Sequence, residues 1–227
     1  PHPRAPRPVD HATLVAPAEG SGAIDGEMAS LSAAGWADGT NAPFAFWRFD
    51  AGYSAKHRTV YFMGGRLADY GTYGSVWSLA MNGTFADTGE DLVTPVSNYK
   101  MNLLEDAKGI GFNIFFCRPA AGGTIESVQI YYPESNTAVQ LGPEDNYPGS
   151  GRCTSGLNVV YKNKAYVAGG LDTSASPYNW AETWVFDPLA AAGSRWTQIA
   201  TATLNQPRAN IMGALVDDKI NAIGGNW

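Results

Sequence analysis

The chain has 227 residues, including 26 Gly and 14 Pro, and only 16% of its residues are charged. This composition is typical of short strands joined by tight turns rather than of a helical bundle or a disordered chain. The net charge of -6 and the scattered Lys and Arg residues argue against nucleic acid as a partner, and no run of about 18 apolar residues predicts a membrane span. We therefore expect an all-β protein with neither nucleic acid nor a membrane as its partner.

The beginning of the chain differs in composition from the rest. Residues 1–10 are rich in Pro and predict a disordered or extended segment. Residues 11–227 predict a single β domain. Within it, two short candidate strands come first, around residues 28–31 and near Trp36.

A repeat follows, made of a strand, a turn with Lys or Asp, a second strand and a glycine pair. The pairs are Gly64–Gly65, Gly169–Gly170 and Gly224–Gly225, so their first glycines are separated by 105 and 55 residues. This spacing predicts a hidden copy near position 117, where residues 109–117 read as a turn and a strand with Cys117 in place of the glycine. The pair Gly122–Gly123 is out of register and predicts a loop.

Each copy except the last predicts two more strands after its loop. The third strands are expected at residues 75–81, 125–132 and 181–187, and the clearest fourth strand at residues 195–199. The aromatic residues in these strands predict packing between neighbouring units; they are Trp77, Trp184, Phe186 and Trp196. Four strands per unit is the content of one propeller blade.

The order of these residues resembles the kelch repeat. A glycine pair is followed by Phe186, which ends a third strand, and by Trp196, which opens a fourth; the first copy has Leu79 and Phe85 at these positions. The resemblance covers about residues 44–227 and implies a kelch-like β-propeller. The pattern alone also allows a β-sandwich with ordinary glycine turns.

The last copy holds only two inner strands. If the candidate strands in residues 11–40 complete it, the ring closes with four blades, which removes exposed sheet edges. The alternative is a fragment of a six- or seven-bladed propeller, with the missing blades cut away or on a second chain.

The loops after the glycine pairs and before the first strands should emerge on the same face, which we call the top face. Its Arg and aromatic residues suit an acidic or sugar ligand, because guanidinium groups bind carboxylates and aromatic faces stack on sugar rings. The candidate ligand-binding residues are Arg48, Arg66, Tyr70, Arg152, Tyr178, Trp180, Arg208 and Trp227. Arg48 and Arg208 both lie 17 residues before the second glycine of a pair, and Cys153 repeats that spacing beside Arg152. The other interpretation is that these arginines brace loops by bonding backbone carbonyl groups.

Two features favour secretion. Asn82-Gly83-Thr84 is an N-glycosylation sequon, and Cys117 and Cys153 should lie on the same face of adjacent blades, where they can form a disulfide. Two free buried thiols are the alternative. The sequence thus predicts a secreted glycoprotein that binds a carbohydrate or a small polar or acidic ligand.

Residues 152–156 and the closing Gly224-Gly225-Asn226-Trp227 also resemble copper radical oxidases of the galactose oxidase type. That family needs a tyrosine where this chain has Ala209 and Asn210, and two histidines, whereas only His2, His11 and His57 occur here. We therefore predict no cofactor and no metal, and identify no catalytic residue. An extracellular polysaccharide lyase or oxidase is the alternative function, and a protein-interaction scaffold is the third. Acidic residues of the outer loops, such as Asp145, are expected to be solvated.

Overall fold

A computed structural model describes residues 40–120, 123–150, 153–172 and 178–226, without the side chains of residues 117–125. The extended segment and the closing strands predicted within residues 1–39 lie outside these ranges, as do Arg152 and Trp227. The described part is all-β, as the composition predicts, with fourteen strands and two short 3-10 turns. None of its helical turns is long and apolar enough to cross a membrane.

The strands form four antiparallel sheets, each connected as a meander. The first sheet contains β1 (Asp50–Ser54), β2 (Thr59–Met63), β3 (Ser75–Ala80) and β4 (Phe85–Asp91). The second contains β5 (Lys100–Asp106), β6 (Gly109–Ala120), β7 (Gly123–Tyr132) and β8 (Thr137–Gln140). The third contains β9 (Leu157–Tyr161), β10 (Lys164–Ala168), β11 (Thr183–Phe186) and β12 (Trp196–Gln198). The fourth contains β13 (Met212–Val216) and β14 (Lys219–Ile223). The first strands lie beside one another in chain order, β1 against β5, β5 against β9 and β9 against β13.

Tight turns set the register of two inner hairpins. Lys162 and Asn163 link β9 to β10, and Asp217 and Asp218 link β13 to β14. All four residues have positive φ, between 47° and 59°. A two-residue turn with φ positive at both positions matches the twist of its strands, and Asn and Asp tolerate that conformation better than most residues.

Glycine pairs attach the first sheet to the second and the third sheet to the fourth. Gly64 and Gly169 have φ values of 64° and 71°, and a Cβ on either would lie 2.6 Å from a backbone oxygen, that of Val96 or Arg208. Both oxygens belong to the segment that leads into the next sheet. The following glycine donates its N–H to the same oxygen, at 2.7 Å from Gly65 and 3.0 Å from Gly170. Only glycine accepts both this conformation and this close approach.

The second sheet lacks the pair, and its second strand does not stop where the others do. β6 runs on past Cys117 and stays paired with β7 as far as Ala120 opposite Gly123. The loop predicted at Gly122–Gly123 is therefore wrong at Gly123, which begins β7; Gly122 lies outside the described residues. With no left-handed glycine to turn the backbone, the hairpin continues in register.

Apolar side chains fill the space between successive sheets. Phe115 of β6 lies 5.0 Å, centroid to centroid, from both Phe186 and Trp196 of the third sheet. Tyr61 of the first sheet packs on Phe112 and Tyr131 of the second, each at 5.5 Å. The predicted packing role of the strand aromatics is confirmed for Phe186 and Trp196, which join two sheets.

Asp145 departs from its prediction. It is 1% exposed, forms an ion pair with Arg195, and accepts a hydrogen bond from the Gly193 N–H at 2.9 Å. Its backbone oxygen accepts from Trp196 Nε1 at 2.9 Å. A carboxylate becomes buried only where charge and hydrogen bonds compensate it, as they do here by tying the connector after β8 to the outer turn of the third sheet.

The two ends of the array remain uncovered among the described residues. Met212 and Ile223 of the fourth sheet are 70% and 55% exposed, and Phe49 and Tyr53 on the far side of the first sheet are exposed as well. The described strands therefore do not by themselves close a ring.

Candidate functional site

The first group of candidate residues is assembled by a backbone bridge. Trp47 and Arg66 exchange hydrogen bonds, Trp47 N to Arg66 O at 3.0 Å and Arg66 N to Trp47 O at 2.8 Å. Arg66 directly follows the pair Gly64–Gly65. The glycine turn thus brings the loop after β2 against the segment before β1, as the top-face prediction requires.

Aromatic and cationic side chains meet at this bridge. The guanidinium carbons of Arg48 and Arg66 lie 4.6 Å and 5.9 Å from the ring centroid of Trp47, and Tyr70 meets the same ring edge-on at 5.4 Å. Arg66 Nε donates to Ser97 Oγ at 3.1 Å, which links the group to the segment before β5. We call these five residues the Trp47 cluster.

Two residues of the Trp47 cluster have a costly backbone conformation. Arg48 and Tyr70 have φ values of 56° and 66°, and Tyr70 is 68% exposed. A left-handed conformation costs a side chain such as Arg about 1–2 kcal/mol, and such strain concentrates at binding sites. Asn98 and Asn210, which precede β5 and β13 by two residues as Arg48 precedes β1, have nearly the same φ, 53° and 55°. The fold therefore requires this conformation, but Asn fits it better than Arg.

The second group lies where the third sheet meets the fourth. Arg208 N donates to Trp180 O at 3.1 Å, and Asn210 Nδ2 donates to Asn226 Oδ1 at 2.8 Å. Asn179 Nδ2 reaches Asn226 O at 3.4 Å. We call these residues the Trp180 cluster. Three of its buried atoms have no hydrogen-bond partner in the described part: Trp180 Nε1, Asn179 Oδ1 and Arg208 Nε.

The equal spacing of Arg48 and Arg208 does not make them equivalent. Ala209 forms with Asn226 the bridge that Trp47 forms with Arg66, so Arg48 corresponds to Asn210. The two spacings coincide because the β1–β2 turn has four residues and the β13–β14 turn has two. The equal spacing therefore does not place Arg48 and Arg208 at equivalent positions before their strands. Arg208 Nη2 instead approaches Ala222 O at 3.4 Å, in keeping with the bracing interpretation.

The structure thus divides the predicted site in two. Arg48, Arg66 and Tyr70 come together, and so do Trp180 and Arg208, while the exposed Tyr178 adjoins the second group through the bridge of Asn179 with Leu171. Sequence reasoning did not count Trp47 or Ser97 among the candidate ligand-binding residues. The position of Trp47 directly before Arg48 was the available signal for the first; Ser97 becomes visible only when the sheets are packed.

Cys153 opens the 3-10 turn Cys153–Ser155, four residues before β9, and is buried with its Sγ 3.8 Å from the Phe115 oxygen. No free cysteine occurs in the described part of the chain. The side chain of Cys117 lies outside that part, so the pairing stays a prediction. Asn82 is exposed in the β3–β4 turn, and its Oδ1 accepts from Thr84 N at 3.0 Å.

No protein-family model and no curated protein matches this sequence. Among solved structures, the chain is similar to one described as the structure of YjhT, with a TM-score of 0.59 and 10% identity over 79% of this chain. The chain spans 59% of the length of that structure. At this identity the likeness concerns the fold alone.

Proposed function

We propose that this chain is a secreted, kelch-like β-propeller that binds a carbohydrate or small acidic ligand on its top face, through the Trp47 cluster. The observation that carries the proposal is the exposed guanidinium of Arg48, stacked on Trp47 from a strained backbone position. The fold imposes this conformation, but stability would favour Asn there, so the presence of Arg is a reason to look for a ligand.

Three features support the propeller. Meander sheets follow one another in chain order, their first strands are neighbours, and the glycine pairs bond to the segment leading into the next sheet. In the ring that we propose, N-terminal strands complete the last of four blades. A six- or seven-bladed ring, of which these sheets are a part, is the alternative.

The chemistry of the Trp47 cluster favours a carboxylate. Arg66 donates to Ser97, whereas Arg48 is exposed and its guanidinium makes no hydrogen bond within the described part of the chain. A guanidinium fork binds a carboxylate through two parallel hydrogen bonds. Tyr70, 68% exposed beside it, offers a ring face to the apolar side of a sugar. A uronate-containing oligosaccharide combines both groups.

The variant Arg48→Asn separates binding from bracing. Because Asn suits the left-handed conformation, we expect the free energy of unfolding to stay level or rise by up to about 1 kcal/mol. Loss of a charged hydrogen-bond donor should weaken binding about tenfold to a hundredfold. A glycan array with uronate and neutral oligosaccharides, followed by calorimetric titration of the best binder, measures affinity, and urea unfolding measures stability.

The control is Lys219→Ala, which removes a positive charge next to the β13–β14 turn, at the opposite end of the sheets, and should leave binding unchanged. Destabilisation by Arg48→Asn with unaltered binding would show that Arg48 is a brace. Release of unsaturated ends or of peroxide from the bound polysaccharide would identify the lyase or oxidase alternative.

Secretion has its own test. Expressed through a eukaryotic secretory pathway, the protein should carry an N-glycan on Asn82, and its deglycosylated mass should rise by two hydrogens on reduction as the bond between Cys117 and Cys153 opens. Asn82→Gln is the control for the glycan. An unmodified Asn82 together with an unchanged mass on reduction contradicts the secreted assignment.

A further inference from the structure

Three asparagine side chains lie in the core between the second and third sheets. Asn102 of β5 and Asn113 of β6 are paired opposite each other in the second sheet and are only 5% and 2% exposed. Asn158 of β9 lies opposite Val167 of β10 in the third sheet. We call Asn102, Asn113 and Asn158 the asparagine cluster. A buried amide group costs free energy unless its donors and its acceptor are paired, so each of these side chains needs partners.

The two asparagines of the second sheet face the third sheet. Asn102 lies two residues before Leu104, whose side chain packs in the core that the second and third sheets share. Asn113 lies two residues before Phe115, whose ring contacts Phe186 of the third sheet. Side chains two residues apart on a strand lie on the same face of its sheet. Both asparagines therefore point toward the third sheet.

Asn158 faces them from the third sheet. Its neighbours on β9, Leu157 and Val159, pack in the core toward the fourth sheet. Successive side chains on a strand point to opposite faces, so Asn158 points toward the second sheet. Val167, which lies opposite Asn158, belongs to the core on that same side. The three amide groups thus enter one space between the two sheets.

Two contacts align the second and third sheets along the direction of their strands. Before β9, Cys153 Sγ lies 3.8 Å from the Phe115 oxygen, which is level with the start of β5. After β9, Asn163 Nδ2 donates to the Glu105 oxygen at 2.8 Å, and its Oδ1 accepts from the Glu105 N–H at 2.7 Å. The strands β5 and β9 are neighbours, and each carries its asparagine between these two contacts. The asparagine cluster is therefore assembled at one level.

Four buried atoms of the asparagine cluster have no hydrogen-bond partner within the described part of the chain. They are Asn102 Nδ2, Asn113 Oδ1, and both Nδ2 and Oδ1 of Asn158. The orientation of the Asn113 amide is fixed, because its Nδ2 donates to the Gly111 oxygen at 3.1 Å. Buried polar atoms are almost always paired with protein or with ordered water. Four such atoms in one space therefore indicate a bound molecule that pairs them.

The chemistry of these four atoms selects the bound molecule. Two of them are N–H donors and two are carbonyl acceptors. An anion is bound by donors and a cation by oxygen atoms, whereas a water molecule both donates and accepts. The core side chains around the cluster are apolar, among them Leu104, Phe115 and Val167, and none of these three carries a charge to balance an ion. An internal water makes about three hydrogen bonds, so four atoms suit about one or two waters.

We propose that the asparagine cluster binds about one or two internal water molecules that bridge the second and third sheets. The site lies at the junction where the glycine pair is missing. At the other two junctions, Gly65 and Gly170 donate backbone hydrogen bonds to the next segment. Bridging water provides a polar link of comparable strength between the asparagine side chains. The inference depends neither on the ligand of the Trp47 cluster nor on the number of blades.

Nuclear Overhauser effects between water and side-chain amide protons, measured on the full chain, test the site. In the unaltered protein, the Nδ2 protons of Asn102 and Asn158 should show effects with the sign of a long-lived complex with water. Asn158→Leu removes both groups that the third sheet supplies, so the signal at Asn102 should be lost. Asn221→Leu is the matched control, because it makes the same exchange on β14, where the amide donates to the Lys219 oxygen. It should leave both signals unchanged.

Asn158→Ser is the second variant, because its hydroxyl group still donates and accepts and leaves room for water; the signal at Asn102 should persist. If Asn158→Leu does not fold, the signals of the unaltered protein and of Asn158→Ser decide. Absence of water signals at Asn102 and Asn158 in the unaltered protein overturns the proposal, as does a signal at Asn102 that survives Asn158→Leu. Absent water signals, together with a Tm that falls when choline replaces Na⁺ and K⁺ at equal ionic strength, overturn it in favour of a bound cation.

Discussion

The first and second sheets of this protein attach to their successors in different ways. After the first sheet, the glycine pair presses backbone against backbone, with Gly65 bonded to the Val96 oxygen. After the second sheet no such pair exists, and the contact is made by side chains, with Phe115 between Phe186 and Trp196.

This difference shows that the glycine pair is not required for a sheet to take its place in the array. What the pair decides is the path of the chain. Where it is present, the second strand ends and its loop crosses to the segment before the next sheet or its own first strand. Where it is absent, β6 and β7 extend together to Ala120 and Gly123. The second sheet is then held to its neighbour by side chains, the buried ring of Phe115 and the polar contacts of Asp145.

The largest expected effect follows from this attachment by side chains. Phe115→Ala should lower the free energy of unfolding by about 3–5 kcal/mol, because it empties a fully buried site that joins two sheets. Ile110→Ala, in the same strand but 39% exposed, should cost less than about 1 kcal/mol. Urea unfolding followed by tryptophan fluorescence measures both. Equal costs would mean that Phe115 is not the attachment point.

A substitution at the glycine pair should lower the free energy of unfolding by less than Phe115→Ala does, and its effect should be confined to the contact with the Val96 oxygen. Gly64→Ala should destabilise by about 2–3 kcal/mol, since its Cβ would lie 2.6 Å from the Val96 oxygen in a left-handed conformation. Gly224→Ala, at nearly the same φ of 66° but with nothing within 4 Å, carries only the conformational cost of about 1 kcal/mol. Thermal unfolding of the two variants compares them. If Gly224→Ala proved the more harmful, close backbone approach would not be the reason for the cost at Gly64.

The smallest expected effect is a loss of folding stability at alkaline pH, caused by Tyr131 at the contact between the first two sheets. Burial raises the pKa of Tyr131 to about 12, above the value near 10 of an unfolded chain. As the pH rises, the Tyr131 hydroxyl therefore stays protonated to a higher pH in the folded protein than in the unfolded chain. This contribution to folding stability is complete below pH 10 and is lost as the pH rises toward 12. The urea midpoint should fall over that interval, and fall less in Tyr131→Phe. Tyr178→Phe, which alters an exposed ring, is the control and should follow the unaltered protein.

Part of the candidate site could be predicted from the sequence. The glycine pairs predicted that Arg66 and Tyr70 follow a turn toward the first strands, and the structure brings them to Trp47 and Arg48. The sequence could not show that Arg48 and Arg208 occupy different positions relative to their strands, because the two hairpin turns differ in length while the fold is the same. Ser97 could not be predicted either, since its contact with Arg66 depends on how closely the first two sheets pack, which no local pattern gives.

The sequence by itself determined the strands, the turns and the places where the chain reverses, because these depend on local backbone preferences: glycine at positive φ, Asn and Asp in two-residue turns, and alternating apolar residues. Only the tertiary structure decided which side chains meet across sheets and that Asp145 is buried in an ion pair. Those outcomes depend on distances between segments far apart in the chain, and no local preference encodes such distances.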